Sequence, residues 1–201
     1  MAELVSSAPS SRPALFLDRD GVINEDPGWI SSPRNLVVFP FAAKAIGLAN
    51  RAGFLVIVVS NQSVVARGVA SAETVDEIHA KMNAELERNG ARIDAFYFCP
   101  HHPDFSGPCR CRKPQTGLID RAVVEYAVDL DASFLVGDTT GDLLTGKNAG
   151  LRTILVRTGK AGQDGLHIVN PDAVCDDLLA AVRWIIERPE VDHEALGEAE
   201  E

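Results

Sequence analysis

Residues 54–61 read FLVIVVSN, and this stretch decides the predicted fold. An unbroken apolar run from Phe54 to Val59 is followed directly by two polar residues, Ser60 and Asn61. A strand with one face in water would alternate apolar and polar residues, whereas an unbroken run is typical of a strand buried on both faces. The stretch therefore predicts a strand of a parallel sheet that is covered on both sides.

Strand-like and helix-like runs alternate on both sides of this stretch. The predicted strands cover 14–18, 54–61, 93–99, 133–138 and 152–159. The predicted helices cover 41–53, 72–89, 117–129, a short segment that ends near Ala149, and 173–187. This alternation indicates an α/β fold, which we expect to be a Rossmann-like three-layer sandwich around a central parallel sheet.

Length and composition favour one globular domain. A chain of 201 residues is long enough to bury a single core. We expect this domain to span 14–187, between a flexible N-terminal tail at 1–13 and an acidic C-terminal tail at 188–201.

Charge and hydropathy narrow the possible partners and compartment. The net charge of −10 argues against a nucleic-acid partner, because binding a phosphate backbone requires a basic face. No apolar run reaches the roughly 18 residues of a membrane span, and residues 1–13 lack the apolar run of a signal peptide. We therefore expect a cytoplasmic protein that binds no membrane. We also expect it to be a monomer.

Polar side chains stand at the ends of the predicted strands. Asp18 and Asp20 follow the first strand, Ser60 ends the second, Cys99 ends the third and Asp138 ends the fourth. In open α/β sheets, ligands bind outside the carboxyl ends of the strands. A plain core would not need these side chains, so they indicate a functional site.

The carboxylates at two strand ends favour a divalent cation. Asp18 and Asp20 alone are a weak signal, since solvated turn carboxylates are common, and a calcium loop is excluded because Trp29 stands where its bidentate Glu would be. Asp138 and Asp142 at another strand end strengthen the signal. Carboxylates that converge repel each other unless a hard cation such as Mg²⁺ lies between them.

Chemical roles for phosphoryl transfer can be assigned to these residues. Asp18 could attack phosphorus, because carboxylates act as nucleophiles through aspartyl-phosphate intermediates. Asp20 could protonate the leaving oxygen and later deprotonate the attacking water. Ser60 and Lys113 could hold the oxygens of the transferring group, which carry the negative charge.

The ordered motifs LFLDRDG, SNQS, RKP and GDTTGD resemble those of the haloacid dehalogenase (HAD) superfamily of phosphatases. More narrowly, DRDGVIN, SNQSVVARG, CPHHP, C-x-C-R-K-P and LVRTG are similar to the D-glycero-D-manno-heptose 1,7-bisphosphate 7-phosphatases, which are close relatives of histidinol-phosphate phosphatases. The resemblance spans about residues 14–187. It implies removal of the 7-phosphate from that heptose bisphosphate in the biosynthesis of nucleotide-activated heptose.

The resemblance also implies specific site residues. Asp18 would be the nucleophile and Asp20 the acid/base, and Mg²⁺ would be held by Asp18, the backbone carbonyl of Asp20, and Asp138. Ser60 and Lys113 would steady the phosphoryl group. The substrate would be contacted by Asp26, Pro27, Gly28, Trp29, Asn61, Gln62, Ser63 and Arg112. The zinc ligands would be Cys99, His101, Cys109 and Cys111.

This chain departs from the family pattern at two positions. Thr139 stands where members with the heptose activity often have Lys, and Gly141 stands where they often have an acidic residue. The substrate's second phosphate is therefore expected to be held differently, or the substrate differs.

The cysteine-rich stretch 99–111 itself suggests a metal site. Its spacing C-x-H…C-x-C offers three sulfurs and one nitrogen, the composition of a closed structural zinc site. A disulfide would leave an odd thiol and does not suit the cytoplasm. His102 could replace His101, although the family pattern favours His101. Such a loop would anchor the adjacent Arg112 and Lys113, and could stand in place of the large cap domain that we expect this chain to lack.

Three alternatives remain open at this point. Histidinol-phosphate phosphatase, or another small sugar-phosphate phosphatase, is the nearest one within the same chemistry. A non-catalytic, zinc-stabilised binding module is an alternative of another class, although the complete set of Asp18, Asp20, Lys113 and Asp138 argues against it. A nucleic-acid 3′-phosphatase would share the Asp-x-Asp chemistry, but the acidic charge argues against it.

Overall fold

The computed structural model describes residues 11–188, so most of the two predicted tails, 1–13 and 188–201, lies outside the described residues. Within this range six strands form one sheet: β1 (Arg12–Leu17), β2 (Leu55–Asn61), β3 (Ala95–Cys99), β4 (Val128–Gly137), β5 (Arg152–Val156) and β6 (Ala173–Cys175). All neighbouring strands are parallel, in the order β3-β2-β1-β4-β5-β6. In this Rossmann order the chain reverses direction across the sheet beside β1, which opens a crevice between the carboxyl ends of β1 and β4.

Helices cover both faces of the sheet, as the unbroken apolar strands predict. They are α1 (Ala42–Arg51), α2 (Ala72–Glu87), α3 (Pro103–Ser106), α4 (Gly117–Tyr126), α5 (Thr140–Asn148) and α6 (Leu178–Ile186). The apolar sides of α1, α2 and α6 form one core with the sheet, and α4 packs on the opposite face. Gly146 brings α5 against Leu135 and Thr153 on that second face. The α/β three-layer prediction is confirmed.

Two predicted helix boundaries are wrong. The helix predicted to continue to residue 129 ends at Tyr126, because Ala127 adopts a left-handed backbone conformation (φ 50°) and Val128 already pairs with Arg12 in the sheet. The helix predicted from residue 173 begins at Leu178 instead, after Asp177 caps it. The preceding residues form β6, so Cys175 is buried in a strand rather than in a helix.

The described residues contain no separate cap domain, in agreement with the prediction. The predicted zinc loop, 99–111, leaves the end of β3 and carries only the four-residue α3 before the chain enters α4. Among residues 11–188, no helix has both the length and the hydropathy that crossing a bilayer requires.

Candidate active site

A cavity of about 350 Å³ opens at the carboxyl ends of β1, β2 and β4. Nearly all the residues predicted for catalysis, magnesium and substrate line it: Asp18, Asp20, Asp26, Gly28, Trp29, Ser60, Asn61, Gln62, Ser63, Arg112, Lys113 and Asp138. Pro27 belongs to the same loop as Asp26 but is not among the lining residues. The parallel sheet thus brings together side chains that are up to 120 residues apart in the chain (Asp138 − Asp18).

Lys113 lies between two carboxylates at the base of the cavity. Its Nζ is 2.7 Å from Asp18 Oδ1 and 2.5 Å from Asp142 Oδ1, and it also donates to the carbonyl of Val59 at 2.8 Å. The ammonium group is almost fully buried, with 4% of its side chain exposed. A buried cation held by three acceptors is fixed in position, and it would face any anion that approaches Asp18.

Burial and mutual repulsion shift the pKa values of these groups. Burial, and then the charge of Asp142, raises the pKa of Asp18 to about 7, although Lys113 opposes the shift. Burial, and then the charge of Asp18, raises the pKa of Asp138 to about 8. Burial alone would lower the pKa of Lys113, but Asp142 and Asp18 raise it above its usual value. The pocket therefore contains more negative charge than Lys113 neutralises.

The donor set fits a hard divalent cation. Oxygen atoms of Asp18, Asp138 and Asp142 all lie within 4.8 Å of one another, and carboxylate oxygens are the ligands that Mg²⁺ prefers. The backbone is built closely around Asp138: a Cβ on Gly21 or Gly159 would lie 2.5 or 2.2 Å from its Oδ2. Larger residues at these two glycines would displace the carboxylate, so the glycines preserve its position.

Asp20 is held by donors from three residues, two of which, Arg19 and Asn24, sequence reasoning did not identify. Arg19 Nη2 and Nε donate to its two carboxylate oxygens at 2.8 and 3.0 Å, and Asn24 Nδ2 donates at 2.9 Å. Gln62 Nε2 bridges Asp20 at 3.0 Å and the Ser60 hydroxyl at 2.6 Å. Arg19 is fully buried and Asn24 is too, although both sit in a turn where polar side chains usually face water. The hydrophobic periodicity of the sequence does not predict the burial of these two residues, because their burial depends on how the turn packs.

Two of the predicted substrate residues also organise the site itself. Asn61 accepts a hydrogen bond from the Lys113 backbone N–H at 3.0 Å and donates to the Lys113 carbonyl at 3.2 Å. Gln62 is buried and engaged with Asp20 and Ser60. The two amides therefore join the end of β2 to Lys113 and to Asp20.

The rim of the cavity carries cations and one exposed aromatic ring. Arg112 Nη1 donates to the His101 carbonyl at 3.0 Å, which ties it to the zinc loop. Lys160 lies across the opening with its Nζ 3.8 Å from Asp26 Oδ2, and its backbone N–H donates to Asp138 at 2.7 Å. Trp29 remains 55% exposed at the mouth. Sequence reasoning did not identify Lys160 as a site residue.

Thr139, one of the two departures from the family pattern, is used in helix capping. Its hydroxyl accepts a hydrogen bond from the Asp142 N–H at 3.2 Å, and the Asp142 carboxylate accepts from the Thr139 N–H at 3.1 Å. This reciprocal capping box begins α5 and holds Asp142 toward Lys113. Gly141, the second departure, also lines the cavity.

The cysteine-rich loop forms a compact cluster beside the cavity. Cys111 Sγ lies 3.1 Å from Cys99 Sγ, 3.5 Å from Cys109 Sγ and 3.3 Å from His101 Nδ1. All four cysteines of the chain are free, so the disulfide alternative is not realised. Sulfurs around tetrahedral zinc lie about 3.8 Å apart for bonds of ~2.3 Å, so the cluster is somewhat tighter than a zinc-loaded one. Its three sulfurs and one nitrogen, which all converge on one point, have the composition of a closed structural zinc site. His101 Nδ1 faces this cluster, whereas His102 Nε2 contacts Arg67 at 3.1 Å.

Comparison with known proteins identifies the family. The HAD-hydrolase-like family profile matches residues 110–181. The D-glycero-D-manno-heptose-1,7-bisphosphate 7-phosphatase of Chlorobaculum tepidum is 37% identical over 190 residues, which cover 88% of this chain and 95% of the relative. The chain belongs to this phosphatase family. The predicted HAD membership and the narrower resemblance are both confirmed.

Two further relatives of the family extend the match. The D-glycero-beta-D-manno-heptose-1,7-bisphosphate 7-phosphatase of Yersinia pestis is 39% identical over 156 residues, covering 75% of this chain and 83% of the relative. The crystal structure of the D,D-heptose 1,7-bisphosphate phosphatase from B. bronchiseptica, complexed with magnesium and phosphate, superposes with a TM-score of 0.78 at 36% identity. The superposition covers 87% of this chain and 98% of the other. The family relationship therefore extends over nearly the whole described fold.

Proposed function

We propose that this chain is a Mg²⁺-dependent phosphomonoesterase that removes the 7-phosphate of D-glycero-D-manno-heptose 1,7-bisphosphate. The observation that carries the proposal is Asp18, which lies 2.7 Å from the buried Lys113 ammonium at the end of β1 and beside Asp138. A carboxylate nucleophile next to a fixed cation is what phosphoryl transfer requires. The substrate is inferred from relatives that carry this activity in their names.

The proposed reaction proceeds in two steps. In the first, an Asp18 oxygen forms a bond to phosphorus while the bond from phosphorus to the sugar oxygen breaks, and Asp20 gives that oxygen its proton. In the second, Asp20 takes a proton from water, the water oxygen bonds to phosphorus, and the Asp18–phosphorus bond breaks to release inorganic phosphate. Asp20 ends as it began, so the cycle balances.

The remaining polar groups support these two steps. Ser60 and Lys113 bind the equatorial oxygens of the transferring group, where negative charge is concentrated. Mg²⁺, when bound to the carboxylates of Asp18 and Asp138 and the carbonyl of Asp20, supplies positive charge for the same oxygens. Arg19, Asn24 and Gln62 keep Asp20 oriented through the hydrogen bonds described above.

Binding the second phosphate of the substrate requires cations that lie away from the phosphoryl group being transferred. We assign it to Arg112 and Lys160, which both line the cavity. Lys160 would provide the charge that this chain lacks at Thr139, because the Thr139 side chain is occupied in the capping box. The sugar itself would lie against the loop Asp26 to Trp29 and near Ser63.

A turnover panel tests this function. The α- and β-anomers of the heptose 1,7-bisphosphate, histidinol phosphate and simple sugar monophosphates should be compared by phosphate release. We expect the bisphosphates to have the highest kcat/KM, because the second phosphate adds binding energy that can be used in the transition state. If histidinol phosphate is hydrolysed at least as efficiently as both bisphosphates, the substrate assignment is wrong while the phosphatase chemistry stands.

The variant Asp18→Asn tests the chemistry itself. It removes the nucleophile at nearly constant shape, and losing a nucleophile costs several orders of magnitude in rate. We expect folded protein by circular dichroism, with kcat reduced by at least about 10³-fold. Turnover near the wild-type rate would rule out an aspartyl-phosphate at this residue.

We further propose that the protein acts as a monomer in the cytoplasm. The thiolates that a zinc site requires persist in a reducing compartment, and the cluster cysteines are free rather than paired. Sedimentation analysis of the zinc-loaded protein would test the oligomeric state.

A further inference from the structure

The guanidinium of Arg67 contacts two aromatic rings from different segments of the chain, those of Phe105 and Trp29. Arg67 lies in the segment that follows β2, and its Cζ lies 4.6 Å from the ring centroid of Phe105 and 5.4 Å from that of Trp29. A planar guanidinium can stack on both rings at once. The side chain therefore joins the zinc loop, which contains Phe105, to the rim of the active site, where Trp29 lies.

A third contact fixes Arg67 to the zinc loop. Its Nη2 donates to His102 Nε2 at 3.1 Å, and the His102 ring packs edge-on against Phe105 with 5.4 Å between centroids. His102 and Phe105 lie between the cluster residues His101 and Cys109. Their positions therefore depend on how the cluster constrains both ends of the segment.

The backbone around Arg67 is tied to the same two regions. The Ala66 N–H donates to the carbonyl of Pro100, which lies between two cluster residues, at 3.1 Å. The Arg67 N–H donates to the carbonyl of Ser63, a cavity residue, at 3.1 Å. The base of the side chain is thus held while its guanidinium spans the gap to Trp29.

We propose that Arg67 is a positioning residue that couples the zinc loop to Trp29 and thereby orders the mouth of the active site. Trp29 is 55% exposed, so its orientation depends strongly on the few groups that contact its ring. When the cluster holds the zinc loop, Phe105 and His102 hold the guanidinium, and the guanidinium holds the indole. The consequence for substrate binding rests on the proposed function, whereas the ordering of Trp29 can be measured without turnover.

The chain has two tryptophans, Trp29 and Trp184, so replacing Trp184 leaves Trp29 as the single source of tryptophan fluorescence. In a Trp184→Phe background, fluorescence anisotropy and acrylamide quenching report on Trp29. Arg67→Ala and Phe105→Ala should each lower the anisotropy and raise the quenching constant about twofold or more, since an exposed cation–π contact orders its partners. Arg67→Lys should behave like Arg67→Ala, because lysine keeps the charge but lacks the planar stacking surface.

Arg121→Ala is the matched control. It removes another arginine–aromatic contact, in which Arg121 Cζ lies 4.9 Å from the Tyr97 ring centroid, outside the residues that line the cavity. Trp29 should be unaffected by it. An unchanged Trp29 signal in Arg67→Ala, or full retention of the signal in Arg67→Lys, would overturn the proposal.

Zinc removal tests the coupling itself. Cys109→Ser should loosen Trp29 when Arg67 is present and have little further effect in Arg67→Ala, because the coupled residues are then already separated. Equal effects of Cys109→Ser with and without Arg67 would show that the cluster does not act through this residue.

Kinetics give an independent readout of the same contact. Arg67→Ala should raise KM for the heptose bisphosphate about 2- to 5-fold, as expected for loss of one exposed cation–π contact, with kcat changed less than about twofold. A fall in kcat at unchanged KM would contradict a positioning role at the mouth. If no heptose bisphosphate is turned over at all, the fluorescence result still decides the coupling.

Discussion

At the scale of single residues, the site depends on where positive charge is placed. Lys113 is buried between Asp18 and Asp142 and is fully engaged at the reacting centre. Lys160 is more than half exposed, its Nζ lies 3.8 Å from Asp26 Oδ2, and it lines the cavity where a second anion could reach it. We therefore predict separable roles for these two lysines, the first in transferring the phosphoryl group and the second in binding the rest of the substrate.

The variant Lys160→Ala tests this division. We expect KM for the heptose bisphosphate to rise about 10- to 100-fold, the amount for one hydrogen bond to a charged group, while KM for a sugar monophosphate changes little. Lys147→Ala is the matched control, because it removes a lysine paired with Asp172 outside the cavity. Equal losses for both substrates would place Lys160 on the reacting phosphate or on structure instead.

At the scale of elements, a buried histidine links α2 to the turn that carries Asp20, the proposed acid/base. His79 stacks on Phe96 of β3, with 4.6 Å between ring centroids and 16° between ring planes, and its Nε2 lies 3.5 Å from Arg19 Nη1. Burial, followed by the charge of Arg19, lowers the pKa of His79 from its usual 6.5 to about 3, and Asp20 only partly opposes this. The helix thus packs a neutral ring against the arginine that holds Asp20.

This histidine should make the fold sensitive to acid. Between pH 6.5 and 3 the unfolded chain binds a proton at His79 that the folded chain does not, so stability falls as the pH is lowered. The loss from this group should reach about 2 kcal/mol at pH 5. Urea unfolding at pH 7.5 and pH 5 should show that loss in the wild type and a correspondingly smaller one in His79→Phe, which keeps a stacked ring. Parallel losses in the two proteins would contradict the assignment.

The elements also show how far the sequence predicts the fold. The buried runs of β1, β2 and β4 and the amphipathic faces of the helices follow from periodicity, because burial on two faces or on one leaves a distinct apolar pattern. Short β6 gives no such pattern, since only one of its three residues, Cys175, is buried. The end of α4 depends on the left-handed backbone conformation of Ala127, which the presence of an alanine in the sequence does not predict.

The site residues also divide into those that the sequence pattern predicts and those that it does not. The carboxylates and Ser60 are predictable because strand ends converge at one edge of a parallel sheet. The sequence did not predict Arg19 or Lys160 as site residues. Arg19 is buried by the packing of a turn, and Lys160 is brought to the cavity by the loop after β5. Their roles depend on tertiary contacts, which a local pattern does not encode.

At the scale of the whole molecule, the cysteine cluster joins the end of β3 to the segment that carries Arg112 and Lys113. Cys99 ends β3 and is fully buried, and Cys109 and Cys111 pack against the core beneath α4. The chain passes from Cys111 directly to Arg112 and Lys113. Zinc bound here would therefore stabilise the backbone at Arg112 and Lys113. Most of the sheet core, on the side of α1 and α6, does not contact the cysteine cluster.

This arrangement predicts a partial rather than a complete dependence on zinc. We expect about one zinc per chain in the wild type, measured by atomic absorption, and much less in Cys109→Ser. Far-UV circular dichroism should be nearly unchanged, while the unfolding midpoint falls. The value of kcat/KM should drop about 10- to 100-fold, because a small misplacement of Lys113 is costly, but not vanish, since Asn61 also binds the Lys113 backbone from β2.

Cys175→Ser is the control for this change, because it alters a buried cysteine of β6 that lies outside the cluster. This variant should retain the zinc content and the kcat/KM of the wild type, even where its free energy of unfolding is lower. Adding Asn61→Ala to Cys109→Ser should then reduce kcat/KM further, because the backbone of Lys113 would have lost both the zinc loop and the Asn61 hydrogen bonds as supports. If zinc-free Cys109→Ser retains the full kcat/KM, the metal only stabilises a peripheral loop, and Asn61 together with the two carboxylates that flank Lys113 is sufficient to position it.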